Sequence, residues 1–116
     1  AKGDENCAFA IDAFVYSLLK TIGSYVAVLG GVDALIFTAG IGENASLVRE
    51  KLCARLAYLG IELDGEKNRA RPAPAEISAP QSKVKVYVIP ANEELMIASE
   101  TFALLDELAE TEPLAV

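Results

Sequence analysis

Apolar positions recur at helical spacing over residues 5–29: Phe9, Ala13 and Tyr16 form one line, and Ala10, Phe14, Leu18 and Ile22 another. Apolar residues cover more than half of the circumference, so a long buried helix is expected. Gly23-Ser24 is a candidate kink, and Gly30-Gly31 ends the helix through a left-handed cap. Residues 34–38 are a short apolar run bounded by glycines, which predicts a buried strand in a parallel sheet. A glycine-rich turn, Ala39-Gly40-Ile41-Gly42-Glu43-Asn44, follows at once. A second helix is expected over residues 46–59. Its apolar stripe is Val48, Leu52, Leu56 and Leu59, with Arg49, Lys51 and Arg55 largely on a solvated face. Asn44 or Ser46 suits its N-cap and Gly60 its C-terminal end.

Residues 61–81 carry Asp64-Gly65, Pro72, Pro74 and Pro80 and read as an irregular excursion, with short strands near 61–63 and 76–78. Residues 83–89 alternate and then turn continuously apolar, a second strand that Pro90 stops. A last helix starts at Asn92 and runs to about Ala109, with Leu95, Ser99, Phe102 and Leu105 or Asp106 in line and Glu93 and Glu94 in its first turn. Residues 111–116 read as a frayed tail. Two strands cannot cover three helices, so the rest of the sheet is expected in sequence outside this chain. The only methionine is Met96 and the chain opens at Ala1, which also fits a piece of a longer protein.

The remaining counts narrow the chemistry. The 116 residues are 53% hydrophobic, mean hydropathy is +0.32, and seventeen acids against ten bases give a net charge of −7. That size and apolarity fit one folded domain rather than a disordered tail. The acidity argues against nucleic-acid backbones and anionic membrane surfaces, which need clustered Lys and Arg. There is no histidine, which removes Ser-His-Asp and Cys-His sites and most zinc sites from within the chain. Cys7 and Cys53 form no CxxC pair and read as buried thiols of a reducing, cytoplasmic protein. No signal-peptide pattern is present, and Asp12, Lys20, Gly30, Gly31 and Asp33 interrupt the apolar stretches, so no membrane span is expected. Asp12 is expected to be hydrogen-bonded at a helix edge.

Candidate chemistry sits at the ends of both strands. A strand–glycine turn–helix aims backbone N–H groups and a helix N-terminus at one point, and the missing side chains at Gly40 and Gly42 admit a ligand. A nucleotide site and an ordinary tight turn both fit this pattern. Gly40-Ile41-Gly42-Glu43-Asn44-Ala45 also matches G-x-G-x-x-A, with Glu62 or Asp64 about 20 residues on, the fingerprint of an NAD-binding module of an oxidoreductase. Against it stand the half-polar second strand at 60–63 and the long helix that comes first. Pro90-Ala91-Asn92-Glu93-Glu94 ends the second strand. If the strands are neighbours, the glycine turn and Glu93 share one cleft, where a carboxylate holds Mg²⁺ directly or through water. The bland alternative is that Glu93 and Glu94 only complement a helix dipole.

Four ordered segments resemble the acetate kinase (acetokinase) family. They are residues 30–44 ending in Gly40-Ile41-Gly42-Glu43-Asn44, residues 59–64 with Asn68, residues 88–98 with Asn92-Glu93-Glu94, and Phe14-Val15-Tyr16 with Ile22-Gly23-Ser24-Tyr25. The resemblance implies an α/β fold: the C-terminal part of an actin-like (ribonuclease H-like) ATPase lobe of the acetate and sugar kinase/Hsp70/actin superfamily. It implies that residues 1–116 are the C-terminal nucleotide-binding lobe, with the N-terminal lobe absent. The family moves the γ-phosphoryl group of ATP to acetate, reversibly, giving acetyl phosphate and ADP with Mg²⁺. Nucleotide contacts carry over to Gly40, Ile41, Gly42, Glu43 and Asn44, and the magnesium-associated carboxylate to Glu93. The family commonly has Thr where this chain has Ala91. Its catalytic arginines and histidine precede this sequence, so no catalytic residue is assigned here and the isolated chain is expected to be inactive. A homodimer through C-terminal lobes is implied. Propionate kinases share these segments.

Overall fold

The computed structural model describes residues 4–70 and 74–111. The chain order is α1 (Glu5–Leu29), β1 (Ala34–Phe37), α2 (Ala39–Asn44), α3 (Ser46–Arg55), a 3₁₀ turn (Ala57–Leu59), α4 (Gly65–Arg69), β2 (Ala75–Glu76), β3 (Lys85–Val88) and α5 (Glu93–Thr111). The expected tail at 111–116 falls, beyond Thr111, outside the described residues.

The sheet has three strands in the order β1-β3-β2. β1 and β3 run parallel, with Ala34 opposite Lys85 and Phe37 opposite Val88. Lys85 N–H donates to Asp33 O at 3.0 Å and Ile89 N–H to Phe37 O at 2.9 Å, so the ladder runs past both strand ends. β2 is antiparallel to β3, and a single bridge pairs Leu63 with Ser78. The excursion therefore supplies a strand as well as a helix, α4, that the pattern did not suggest. Asp64 caps α4 by accepting from the backbone N–H groups of Glu66 and Lys67. Those bonds hold the Asp64 carboxyl below its ordinary range, the one from Lys67 most.

The pairing also removes the dinucleotide reading. That fold needs the strand after the glycine segment to join β1. Here β1 joins β3, and residues 62–64 bond instead to 77–79. Glu62 accepts from Gln81 Nε2 and Asp64 caps α4, so both acids have structural partners.

The core lies between the sheet and α3. Leu52, Leu56, Ile77 and Val86 are fully buried, and Val48, Cys53, Ile61, Val84 and Val88 join them. α1 packs on the core through Ile11, Val15, Leu18, Leu19 and Ile22, a stripe that takes Leu18 and Ile22 from the second line read in the sequence and none of the first. Only Val15 of this helix is buried, so the buried helix that the apolar pattern predicts is not observed. Phe9, Tyr16, Tyr25 and Val28 are exposed. Gly23 does not interrupt the helix, and Gly30 ends it at φ 74 with its N–H bonded to Val26 O. By length and composition alone α1 is also long and apolar enough to cross a membrane; Asp12 and Lys20 do not break it as expected. Asp12, however, pairs with Lys51 of α3 at 2.6 Å, which ties the helix to the domain on that face.

Other expectations need correcting. β1 is mostly open, with Phe37 alone buried, because among the described residues it has a neighbouring strand on one side only. Neither Asn44 nor Ser46 caps α3; the capping position is Ala45, with no side-chain bond, and Asn44 Nδ2 donates back to Gly40 O at 2.8 Å. Gly60 ends the following 3₁₀ turn at φ 86, as its position suggested. Cys53 is buried but Cys7 is exposed.

Candidate functional site

The glycine segment is not an open turn. It is a one-and-a-half-turn helix, α2, entered through Ala39 at φ 59, a left-handed conformation that costs a non-glycine residue of order 1 kcal/mol or more. The reversal lets the chain leave β1 and bring Gly40 and Glu43 over its carboxyl end. Gly40 and Gly42 do not have positive φ; Gly30, Gly31 and Gly60 do. The two glycines of α2 serve space instead. A Cβ on Gly42 would lie 3.2 Å from the Phe37 carbonyl carbon, whereas a Cβ on Gly40 would meet nothing within 4 Å.

Because β1 and β3 are parallel neighbours, the segment after β3 arrives beside α2. Asn92 caps α5, its Oδ1 accepting from Leu95 N–H at 3.1 Å, and this sets Glu93 and Glu94 in the first turn. The Glu43 carboxylate accepts from Ala91 N–H at 2.9 Å and closes the gap between the two strand ends. The result is an open cleft of ≈ 480 Å³ lined by Ala39, Gly40, Glu43, Ala91, Asn92, Glu93 and Glu94. Gly40, Glu43 and Glu93 thus share one site, as the sequence suggested. Ile41 and Gly42 face a second, apolar groove of ≈ 490 Å³ with Phe14, Leu18, Ile36 and Phe37. Asn44 lines neither.

Among the described residues, three carboxylates and no cationic side chain line the first cleft. A bare polyphosphate would be repelled there, while a divalent cation would be attracted. Among the described residues no cluster of three His, Cys, Asp or Glu side chains could hold a metal alone. One or two carboxylates with ligand oxygens and water fit Mg²⁺, which keeps several waters and takes few protein ligands.

Arg49 was misread. It is 4% exposed, not solvated. Its Nη1 donates to Gly42 O at 2.7 Å and Glu43 O at 3.0 Å, its Nε to Asn68 Oδ1 at 2.8 Å, and its Nη2 to Asn68 O at 2.7 Å. Asn68 is buried as well and donates to Ser46 O. The signal was present: Arg49, Leu52, Cys53 and Leu56 recur at i, i+3, i+4 and i+7 on the inward face.

The chain is an α/β domain with a cleft at the carboxyl ends of adjacent parallel strands, between a glycine-bearing helix and carboxylates, which is where open parallel sheets take their ligands. Residues 1–99 match the model of the acetokinase family, and the chain belongs to that family. It is 52% identical over 105 residues to an acetate kinase of Heliobacterium modesticaldum, covering 90% of this chain and 26% of the relative. It is 54% identical over 104 residues to an acetate kinase of Treponema denticola, with the same coverage on both sides. The solved acetate kinase of Porphyromonas gingivalis superposes with a TM-score of 0.79 at 43% identity, over 89% of this chain and 26% of that one. A propionate kinase from Francisella tularensis superposes at 0.75 with 40% identity, over 85% of this chain and 25% of that one. The chain therefore spans about a quarter of the length of the relatives it matches.

Proposed function

We propose that this chain is the C-terminal nucleotide-binding lobe of an acetate kinase, an enzyme that reversibly transfers the γ-phosphoryl group of ATP to acetate to give acetyl phosphate and ADP. The observation that carries the reading is the cleft that places Gly40, Glu43 and Glu93 together at the ends of β1 and β3. In it, Gly40 lets the nucleotide approach the backbone, α2 supplies the contact surface through Gly40 and Glu43, with Asn44 bracing the helix by its bond to Gly40 O, and Glu93 faces the cation that accompanies the phosphates. Mg²⁺, when bound, neutralises charge that the carboxylates of the cleft would otherwise repel.

Phosphoryl transfer needs a positive clamp on the moving group. Among the described residues no Lys or Arg lines the cleft, which fits a clamp and an acetate pocket supplied by another lobe. The one-sided β1 and the apolar groove beside it fit this view: the remainder of a longer acetokinase chain would cover them. The exposed apolar residues of α5, among them Leu95, Met96 and Phe102, suit a homodimer. A cytoplasmic location follows from the substrates. Propionate kinase is the second reading, favoured by the Francisella likeness.

The test is acyl-phosphate formation, trapped with hydroxylamine, by an acetokinase chain carrying this segment, with acetate and propionate compared. The 116-residue chain alone is expected to form none. Turnover by the short chain, or no turnover with either acid by the long one, overturns the reading.

A further inference from the structure

We propose that Arg49 is a positioning residue for the nucleotide helix: it reads the placement of the 64–69 segment and sets the height of α2 over the end of β1. This rests on the nucleotide reading of the cleft. α2 is too short to be stable alone, since helix nucleation is costly and six residues form few internal bonds. Its last carbonyls, at Gly42 and Glu43, have no helical partner and need one from outside. A single guanidinium nitrogen takes both.

The other two faces of the same guanidinium are fixed by Asn68, nineteen positions away, through one side-chain and one backbone oxygen. Asn68 cannot swing freely, because its own amide donates to Ser46 O at the start of α3. The planar fork therefore joins three segments: the end of α2, the start of α3 and α4. Moving any one shifts Glu43, whose carboxylate holds Ala91 N–H on the opposite wall. Arg49 touches neither the cleft nor its ligand, yet both walls depend on it.

Lysine would keep the charge and much of the volume. It cannot keep the geometry, because a point ammonium has no rigid fork with which to hold two carbonyls and Asn68 at once. A role in packing alone predicts that Arg49→Lys loses thermal stability and keeps nucleotide affinity. The positioning role predicts a split.

The experiment uses an acetokinase chain carrying this segment. The Kd for MgADP is measured by calorimetry and the KM for acetate by turnover, both well below the melting temperature of each variant. Arg49→Lys is expected to raise the Kd for MgADP about tenfold, with the KM for acetate within about twofold. Asn68→Ala, which frees one side of the guanidinium and leaves the α2 carbonyls bound, is expected to raise it about threefold. It decides the matter should Arg49→Lys not fold. Unchanged MgADP affinity in the folded variants, or equal losses for MgADP and acetate, overturns the proposal. A wild-type chain that binds no MgADP overturns the nucleotide reading itself, and the proposal with it.

Discussion

The Glu43 carboxylate and the Ala91 backbone N–H lie 2.9 Å apart, and this one bond joins the segments that follow two parallel strands. Glu43 was expected to touch nucleotide. In the structure its carboxylate is committed to the opposite wall of the cleft. A charge-assisted bond to a backbone donor is stronger than a neutral one. Glu43→Gln retains an acceptor at the same length, whereas Glu43→Ala removes it. In an acetokinase chain carrying this segment, activity should therefore fall in the order wild type, Gln, Ala, with the Gln variant within about tenfold of wild type. Equal damage from both would mean that the charge, not the bond, is what matters.

The two glycines of α2 should respond oppositely to alanine. At Gly42 the new Cβ meets the Phe37 backbone at 3.2 Å, so Gly42→Ala is expected to lose about 1–3 kcal/mol of stability by overpacking. At Gly40 the Cβ enters open space and helix propensity gains roughly 0.5–1 kcal/mol. Gly40 lines the cleft, where an added methyl takes space from a ligand, so Gly40→Ala should be at least as stable as wild type and bind ATP more weakly. Thermal melts and ATP titrations of both variants check the pair. A Gly40→Ala chain with undiminished ATP affinity would show that close approach is not needed there.

The strands, the long helices and the meeting of Gly40 with Glu93 were legible because each depends on short-range pattern and on one rule, that ligands gather at the carboxyl ends of parallel strands. What was not legible came from long-range pairing. Residues 61–63 look like a strand for β1, but whether they join β1 or residues 77–79 is settled by packing, not by their own composition. α1 is apolar over more than half of its circumference, so periodicity could not single out the stripe that docks; Asp12 and Lys51 pair across to α3 beside it. Its other faces, like β1's free edge, have no partner among the described residues. Arg49 has the charge of a surface residue but the period of a core one, and its spacing to Leu52 and Leu56 matches its burial.

The two thiols should separate cleanly. Cys7 is exposed, while burial pushes Cys53 from the ordinary 9.0 up to about 12, against a smaller opposing pull from Arg49. At pH 8 a thiol reagent is expected to label Cys7 and to spare Cys53 until the fold opens, because the thiolate is the reactive form. The linkage has a definite sign. The unfolded thiol ionises near 9.0 and the folded one only near 12, so the contribution of Cys53 is full below pH 9 and is lost as pH rises toward 12. Cys53→Ala should flatten that part of the stability–pH curve. Labelling of Cys53 at the rate of Cys7 in the folded chain would contradict its burial.

Glu93 and Glu94 stand side by side in the first turn of α5 and both line the cleft, so their roles must be separated by chemistry rather than position. Each complements the helix dipole, and a dipole role alone predicts that Glu→Gln at either site costs at most about 0.3–1 kcal/mol of stability with normal turnover. A cation-facing role predicts something else. Gln keeps the shape and loses the charge that attracts Mg²⁺, so turnover falls and more Mg²⁺ is needed, while the melting temperature barely moves. Ala91 sharpens the comparison, since no hydroxyl stands two residues before Glu93, and its backbone N–H is already taken by Glu43. The orientation of Glu93 then depends on the Asn92 cap and on that one bond. Titrating Mg²⁺ at saturating ATP should show Glu93→Gln shifted to higher Mg²⁺ by about tenfold or more, with Glu94→Gln close to wild type. Coincident titrations for the two variants would place the cation elsewhere in the cleft.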